Sequence, residues 1–295
     1  MTGLIVKALS GFYYVECDKK IYECKARGSF RKSGISPLVG DRVVWTAVSE
    51  NSGIVEEIAE RKNAVSRPPV ANIDKLFIVS AFSSPKPNTL LIDKMTVVAE
   101  LNGIEPVIVF NKCDMGSFRE FENIYINAGF KVITVSALTG EGIEELKAEL
   151  KDNISAFTGN SGVGKSSLIN SLFGENIIST GEVSEKLGRG RHTTRHTQIY
   201  SFDFGGYVVD TPGFSSLDFD SNDYSLKEKL PFLFKEFEEY MGECRFSSCS
   251  HTKENGCAVL QAVCDGKIEK TRHESYLALY EELKDAKFWE SKKSK

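Results

Sequence analysis

Residues 157–170, FTGNSGVGKSSLIN, set the tightest limit on what this chain can fold into. An apolar strand end, a glycine-rich turn and a helix start follow one another there. Gly159, Gly164, Lys165 and Ser166 stand at the spacing of a phosphate-binding loop. The glycines let backbone N–H groups curl round a β-phosphate, and the positive end of the helix dipole adds to the attraction. Lys165 reaches the β- and γ-phosphates, and Ser166 offers its hydroxyl to Mg²⁺. The contact stretch is then Gly159, Asn160, Ser161, Gly162, Val163, Gly164, Lys165, Ser166 and Ser167. Such a loop joins a buried strand to a helix, so the chain needs a mostly parallel α/β sheet with its ligand at the strands' carboxyl ends.

The stretch before the loop is as restrictive. Asn111-Lys112-Cys113-Asp114 comes directly after the apolar run PVIVF. Asp114 can accept hydrogen bonds from guanine N1–H and the 2-amino group. Adenine lacks that pair, so a carboxylate here selects guanine. Asn111 can bond the base edge, and the Lys112 stem can lie along its face. VSALTG at 135–140 ends a further strand and brings Ser136 and Ala137, whose N–H suits guanine O6. In most GTPases the base reader comes well after the phosphate loop; here it comes first. The order is base reader, base loop, P-loop, switch, Mg²⁺ strand: the usual cycle cut open and restarted elsewhere. A cut in a surface loop, with the old termini close together, preserves both sheet and site, so the sequence predicts a circularly permuted GTPase domain.

The remaining parts of a GTP site lie beyond the loop. In VVDTPG at 208–213, a strand ends in Asp210, which can join the Mg²⁺ shell, and Gly213 can offer its N–H to the γ-phosphate. Between P-loop and strand lies STGEVSEKLGRGRHTTRHTQIY, with no apolar period, which predicts a mobile loop. A threonine here can close over Mg²⁺ while the γ-phosphate is present; Thr194 is the first candidate and Thr193 the second. Mg²⁺ with GTP would thus be held by Ser166, Thr194 and Asp210.

The flanks read differently. LIVKAL, YYVEC, KIYECKAR, DRVVWTAV and SGIVEEI are five short β-rich runs within the first 65 or so residues. They suit a small closed barrel of the oligonucleotide-binding (OB) type. SRPPVAN at 66–72 is a stiff Pro-containing break that fits a linker. After about residue 220 the chain turns helical and charged. Seven cysteines, four of them in the last fifth, indicate a metal site in a reducing compartment rather than a disulfide framework. Cys244, Cys249, His251 and Cys257 offer three thiolates and an imidazole, a closed tetrahedral set suited to one structural Zn²⁺. Cys264 reads as helix core, and Cys17, Cys24 and Cys113 as small apolar packing residues. With 295 residues the division expected is 1–66 barrel, 67–222 GTPase domain and 223–295 helical zinc-binding domain. No stretch approaches the ~18 apolar residues of a membrane span, and a cytosolic protein is expected.

With these motifs in place, the chain resembles the ribosome small-subunit-dependent GTPase family (RsgA, also called YjeQ) over essentially its whole length. The resemblance implies an OB domain, a permuted GTPase domain and a zinc domain whose Cys/His spacing this sequence matches. It further implies action in late 30S assembly, with the 30S subunit and its 16S rRNA as partners of a monomeric chain. Net charge is −4, so RNA contact must use local basic patches. Lys25, Arg27, Arg31, Lys32 and Arg42, with Phe12, Tyr13, Tyr14 and Phe30 among them, offer one; Arg189, Arg191 and Arg195 offer another. Phe214 comes after Asp-Thr-Pro-Gly, where Ras-like enzymes carry a water-orienting Gln, so intrinsic hydrolysis should be slow. His192 is the nearest candidate to replace that function. Gly162 stands where potassium-activated relatives carry Asn, which gives no support to that form of potassium dependence. A P-loop kinase and an RNA-binding module that uses GTP only for stability are the rival readings, separated by hydrolysis assays with and without ribosomal subunits.

Overall fold

The computed structural model describes residues 1–28, 30, 34–66, 68–82, 86–174, 197–210 and 224–283. All five N-terminal runs are strands: β1 (Thr2–Leu9), β2 (Phe12–Cys17), β3 (Lys20–Ala26), β4 (Arg42–Ser49) and β5 (Ser52–Ile58). β1, β2 and β3 form an antiparallel meander, β5 runs parallel to β3, and β4 pairs with both β5 and β1 to close the barrel. Alternate side chains fill it: Ile5, Val15, Cys24, Trp45 and Val55 are fully buried. Trp45 fits because Gly53 lies opposite, where a Cβ would sit 2.6 Å from the indole.

The Pro-containing stretch is more ordered than its sequence predicts. β6 (Ala64–Ser66) and β7 (Pro69–Ala71) form a hairpin, and Val70, Ala71 and Ile73 are fully buried. Asn72 makes the corner in a left-handed conformation (φ 57°). Its side chain accepts from the Lys62 N–H and donates to the Gly40 carbonyl. Gly40 must be glycine, since a Cβ there would stand 2.1 Å from the Ala71 oxygen. This hairpin therefore anchors the barrel's base and is no free spacer.

The α/β region contains β8 (Lys75–Ala81), β9 (Glu105–Asn111), β10 (Lys131–Val135), β11 (Ile154–Thr158), β12 (Gln198–Ser201) and β13 (Tyr207–Asp210). Sheet order is β10-β9-β8-β11-β13-β12, parallel except for β12. β12 also touches β1 at Lys7↔Gln198, which joins this sheet to the barrel. The connecting helices are α1 (Thr89–Leu101), α2 (Arg119–Asn127), α3 (Ile143–Leu150) and α4 (Lys165–Phe173). Asn88 caps α1 by accepting from the Leu91 N–H, and Gly103 (φ 64°) ends it. Both sheet faces are dry, which explains the near-continuous apolar runs. Phe77, Val79, Val107 and Val109 share one core with Leu146 and Leu168 of α3 and α4. Ile78, Ile108 and Phe110 share the other with Ile92 and Met95 of α1 and Tyr125 of α2.

The C-terminal region comprises α5 (Tyr224–Lys229), two short 3₁₀ turns at 230–233 and 235–237, α6 (Ala258–Cys264) and α7 (Lys270–Glu282). Leu230, Phe234, Phe237 and Tyr276 form its centre. α7 lies on α1, and the fully buried Arg272 ties them together, its Nη1 donating to Asp93 Oδ1 at 2.7 Å. Cys264 corrects one expectation. It is exposed, because Val259 and Ala262 set the inward face of α6 and residue 264 falls on the opposite side. Cys24 is buried, whereas Cys17 and Cys113 are only half-buried.

Candidate nucleotide and metal sites

β8, β9, β10, β11 and β13 all end at one edge of the sheet, and the segments that leave that edge carry the motifs. After β11 the chain turns through Gly159, Gly162 and Gly164, all at positive φ (136°, 82° and 90°). Two of these glycines are required by neighbours. A Cβ at Gly159 would lie 2.1 Å from the Val79 oxygen, and one at Gly164 would lie 2.5 Å from Asn111 Nδ2. Val163 is buried beneath the loop, Ser161, Gly162 and Ser167 are exposed, and Gly159, Asn160 and Ser166 are half-buried. Lys165 opens α4 and curls back so that Nζ donates to the Gly159 and Asn160 carbonyls (2.6 and 2.8 Å). Burial pushes the Lys165 ammonium below its usual range, which favours an anionic partner.

The base-reader motif is laced directly to this loop. Asn111, the last residue of β9, is buried; its Nδ2 donates to the Val163 carbonyl at 2.9 Å. Its Oδ1 accepts from the Ala137 N–H at 3.2 Å. Lys112 adopts a left-handed conformation (φ 68°), which swings its chain towards the P-loop, where Nζ donates to the Gly162 oxygen at 2.9 Å. Asp114 is exposed at the rim, and its Oδ1 accepts from Ser136 Oγ at 2.6 Å. That hydroxyl accepts in turn from the Thr139 N–H at 3.1 Å. Asn111, Lys112, Asp114, Ser136 and Ala137 therefore surround one opening beside Gly159–Ser166. The sequence placed Asn111 at the base edge; its second part, as a bracket between two loops, depends on a carbonyl 52 residues away. Thr139, which orients Ser136, carried no signal in the sequence beyond its place in the loop.

Asp210 ends β13, where it pairs with Gln198 across to β12. β13 lies parallel to β11, so this strand end and the start of the P-loop emerge side by side. Thr193, Thr194, His192, Gly213, Phe214, Arg189, Arg191 and Arg195 lie outside the described residues, as do Arg31 and Lys32 of the barrel. The remaining basic candidates are Lys25, Arg27 and Arg42. Lys25 and Arg27 are exposed on β3 and just beyond it, with Lys25 Nζ 5.2 Å from the Phe12 ring centre. Arg42 lies elsewhere, in a cavity of about 630 Å³ at the seam with the α/β region, beside Glu16 and Tyr207.

The four C-terminal ligands do converge. Cys244 Sγ lies 3.6 Å from His251 Nδ1 and 3.9 Å from Cys257 Sγ, and His251 Nδ1 lies 3.4 Å from Cys257 Sγ. All four ligand atoms, including that of Cys249, fall within 4.8 Å of one another. A tetrahedral Zn²⁺ with Zn–S of about 2.3 Å and Zn–N of about 2.0 Å needs edges of about 3.8 Å (S···S) and about 3.5 Å (S···N). The donor set fits. Burial pushes the Cys249 thiol up to about 12 and raises Cys257 as well, so a cation at the centre is what would hold them as thiolates.

Hydrogen bonds fix the loop that carries these ligands. His251 takes a left-handed corner (φ 55°), its carbonyl bonds His273 Nε2 at 2.8 Å, and Tyr276 donates to the Ser250 carbonyl at 2.6 Å. Glu254 accepts from the Ser250, Thr252 and Lys253 N–H groups and from the Ser250 hydroxyl. Burial alone would raise its pKa; the hydrogen bonds more than offset this and hold it down at about 2.

Comparison with known proteins bears on the whole chain. Residues 58–220 match the RsgA GTPase family model and residues 2–55 the RsgA N-terminal domain model. A model described as 50S ribosome-binding GTPase matches 154–287. That match starts at β11 and leaves out the base reader, as a permuted order requires. The small ribosomal subunit biogenesis GTPase RsgA of Caldanaerobacter subterraneus subsp. tengcongensis is 52% identical over 96% of both chains. The RsgA of Geobacillus thermodenitrificans is 44% identical over 97% of this chain and 98% of its own. Among solved structures, YjeQ from Thermotoga maritima superposes with a TM-score of 0.82 at 38% identity, covering 97% of this chain and 99% of that one. YloQ, described as a circularly permuted GTPase, gives 0.79 at 34% identity, covering 97% and 96%.

Proposed function

Since the chain belongs to the RsgA GTPase family, we propose that it hydrolyses GTP to GDP and phosphate in biogenesis of the small ribosomal subunit, and that the 30S subunit is its activating partner. The observation that carries the reading is the Asn111 bracket. Asn111, 52 residues before Val163 of the P-loop, is joined to it by a buried 2.9 Å hydrogen bond, as a guanine site in permuted order demands.

The proposed roles draw on the geometry for the described residues and on the sequence motifs for Thr194, Gly213 and His192. Asp114, held by Ser136, reads the guanine N1–H and 2-amino groups, and the Lys112 stem lies under the base. Backbone N–H groups of 159–166 and Lys165 take the β- and γ-phosphates. Oxygen donors at the start of α4 and the end of β13 suit Mg²⁺, so Ser166 and Asp210 would hold it, with Thr194 and the Gly213 N–H completing the γ-phosphate side. Bound there, Mg²⁺ neutralises charge on the β- and γ-oxygens. His192 takes the place of the water-orienting Gln that Phe214 does not supply. One Zn²⁺ held by Cys244, Cys249, His251 and Cys257 is structural. Residues 1–66, 67–222 and 223–295 are the barrel, GTPase and zinc domains of a monomer working in the cytoplasm; no described helix is long and apolar enough to cross a membrane. Lys25 and Arg27 beside Phe12, Arg42 at the seam, and Arg31 and Lys32 contribute to binding of 16S rRNA.

The test is GTP turnover by the purified chain alone and with 30S subunits, 50S subunits or unrelated RNA. We expect slow free turnover and at least tenfold stimulation by 30S, or ~1.4 kcal/mol off the barrier. That stimulation should weaken at high salt and not be reproduced by 50S. Equal stimulation by unrelated RNA would reduce the reading to a generic RNA-dependent GTPase, and no hydrolysis under any condition would leave a GTP-stabilised binding module.

A further inference from the structure

Arg272 has no part in the nucleotide or the metal site, yet among the described residues it is the most heavily engaged charged side chain linking the C-terminal region to the α/β region. It is fully buried. Nη1 donates to Asp93 Oδ1 at 2.7 Å, and Nε and Nη2 donate to the two Glu236 oxygens at 2.6 and 3.2 Å. Asp93 is on α1, the helix that runs directly into β9 and so into Asn111. The guanidinium plane also lies 5.2 Å from the Phe130 ring centre. Phe130 immediately precedes β10, the strand that ends just before Ser136.

From Phe130 a chain of aromatic contacts leads back to the base reader. Phe130 meets Tyr125 edge-on (centroids 6.5 Å), Tyr125 meets Phe110 (6.3 Å), and Phe110 is bonded covalently to Asn111. Phe110 is also stacked on Phe118 at 4.9 Å. Tyr125, Phe110 and Phe118 have almost no solvent exposure. A packed interior of this kind transmits displacement, because side chains have no free volume to absorb it. The Arg272 group thus holds α1, which leads into β9, and Phe130, which leads into β10. α1 also meets the strand end before the P-loop, where Thr158 Oγ1 donates to Met95 Sδ at 3.8 Å, but this weak contact is the smaller link.

We infer that Arg272 is a positioning residue for guanine recognition, coupling the C-terminal module to the base-reading loops more strongly than to the phosphate loop. The inference rests on the proposed guanine site and sharpens it. Coupling of this kind is reciprocal: if the module sets the base reader, the base must stiffen the module.

Hydrogen exchange on the full chain with its metal intact tests this without any substitution. GDP should slow exchange of amides in 270–282, on the order of fivefold. Pyrophosphate, which fills only the phosphate loop, should slow it less. Equal protection of 270–282 by both ligands, or by neither, overturns the proposal. The second test is Arg272→Met, which removes the charge and keeps most of the apolar stem. The preference for GTP over ITP, whose base lacks the 2-amino group, should fall by on the order of fivefold, with pyrophosphate affinity changing less and zinc content unchanged. A folded variant with unaltered preference overturns it. If that variant does not fold, Phe130→Leu gives the same readout with the charges retained. Wild-type protein that fails to distinguish GTP from ITP would sink the guanine reading itself, and this proposal with it.

Discussion

The Cys/His knot and the nucleotide pocket are built on opposite plans. The knot draws its four ligands from Cys244 to Cys257, one local stretch, and aims them at a common centre. The pocket draws its groups from the ends of separate strands, and they bond one another: Asn111 to Val163 and Ala137, Lys112 to Gly162, Ser136 to Asp114, Lys165 to Gly159 and Asn160. Crowded thiols and an imidazole offer little to each other and need a cation at the centre. The pocket's loops are tied to one another by these hydrogen bonds, so its shape does not hang on a single central ion. Closed local clusters make a domain dependent on an ion; laced loops make a site that is ready before its ligand arrives.

That contrast can be broken most forcefully at the knot. Replacing Cys257 with Ala removes a ligand and the sulfur at the start of α6 that accepts from the Leu260 N–H at 3.5 Å. Structural zinc contributes about 10–16 kcal/mol in small zinc-binding peptides, far more than one helix cap. Metal analysis should show one zinc per wild-type chain and less in the variant. Circular dichroism should show helix loss, while pyrophosphate still binds the phosphate loop. Full zinc retention, or loss of phosphate binding in step with the helices, would erase the contrast between the two regions.

At the pocket the largest single effect is expected from Asp114→Asn. An amide presents a donor where guanine also presents one, so GTP affinity should drop about a hundredfold or more and xanthosine triphosphate should gain. Binding titrations with the two nucleotides decide it; an unchanged preference for GTP would remove Asp114 from the base-reading role.

A smaller effect separates preorganisation from direct contact. Ser136→Ala leaves Asp114 in place and removes the 2.6 Å hydrogen bond that aims it. A hydrogen bond to a charged group is worth about 1.5–3 kcal/mol, and the exposed rim puts this one at the low end. GTP should weaken by roughly tenfold, with pyrophosphate affinity unaltered. Equal weakening of both ligands would mean that the change acts on the fold and not on the carboxylate.

How far the sequence carried these conclusions depended on distance along the chain. The strands were legible because burial on both faces leaves runs such as KLFIVSA and EPVIVF, and the P-loop because its chemistry needs glycines at fixed positions. The permuted order was legible from the motifs alone. The β6–β7 hairpin was not, since its Pro residues resemble a break and its anchors, Gly40 and Asn72, are 32 residues apart. Arg272 and Asp93 are 179 residues apart, and nothing local marks either as buried. Cys264 misled because a short apolar run such as AVLQAVC does not say which side of the helix faces inward. Cys244, Cys249, His251 and Cys257 fall within one short segment and needed no long-range information.

The most delicate test of the laced pocket is a proton. Lys165 reaches back to two carbonyls, and burial lowers its pKa below the usual 10.5. The folded chain therefore binds fewer protons at this group than the unfolded chain does between the lowered value and 10.5. The cost of burying the charge is present in full below the lowered pKa and is relieved as pH rises through that window. A phosphate anion against Nζ reverses the shift, because an opposite charge favours the ammonium. Nucleotide binding should then take up a fraction of a proton at this group within that window, and affinity should fall gradually as pH rises through it. Calorimetry in buffers of different ionisation enthalpy measures that uptake directly. Lys165 is only partly buried and solvent screens it, so the effect should be the smallest of the four. Binding with no proton uptake anywhere in that window would mean that the lysine keeps an ordinary pKa without its phosphate. The two backbone carbonyls would then solvate the ammonium as well as water does, and the pocket would hold its charge, as well as its shape, ready before the nucleotide arrives.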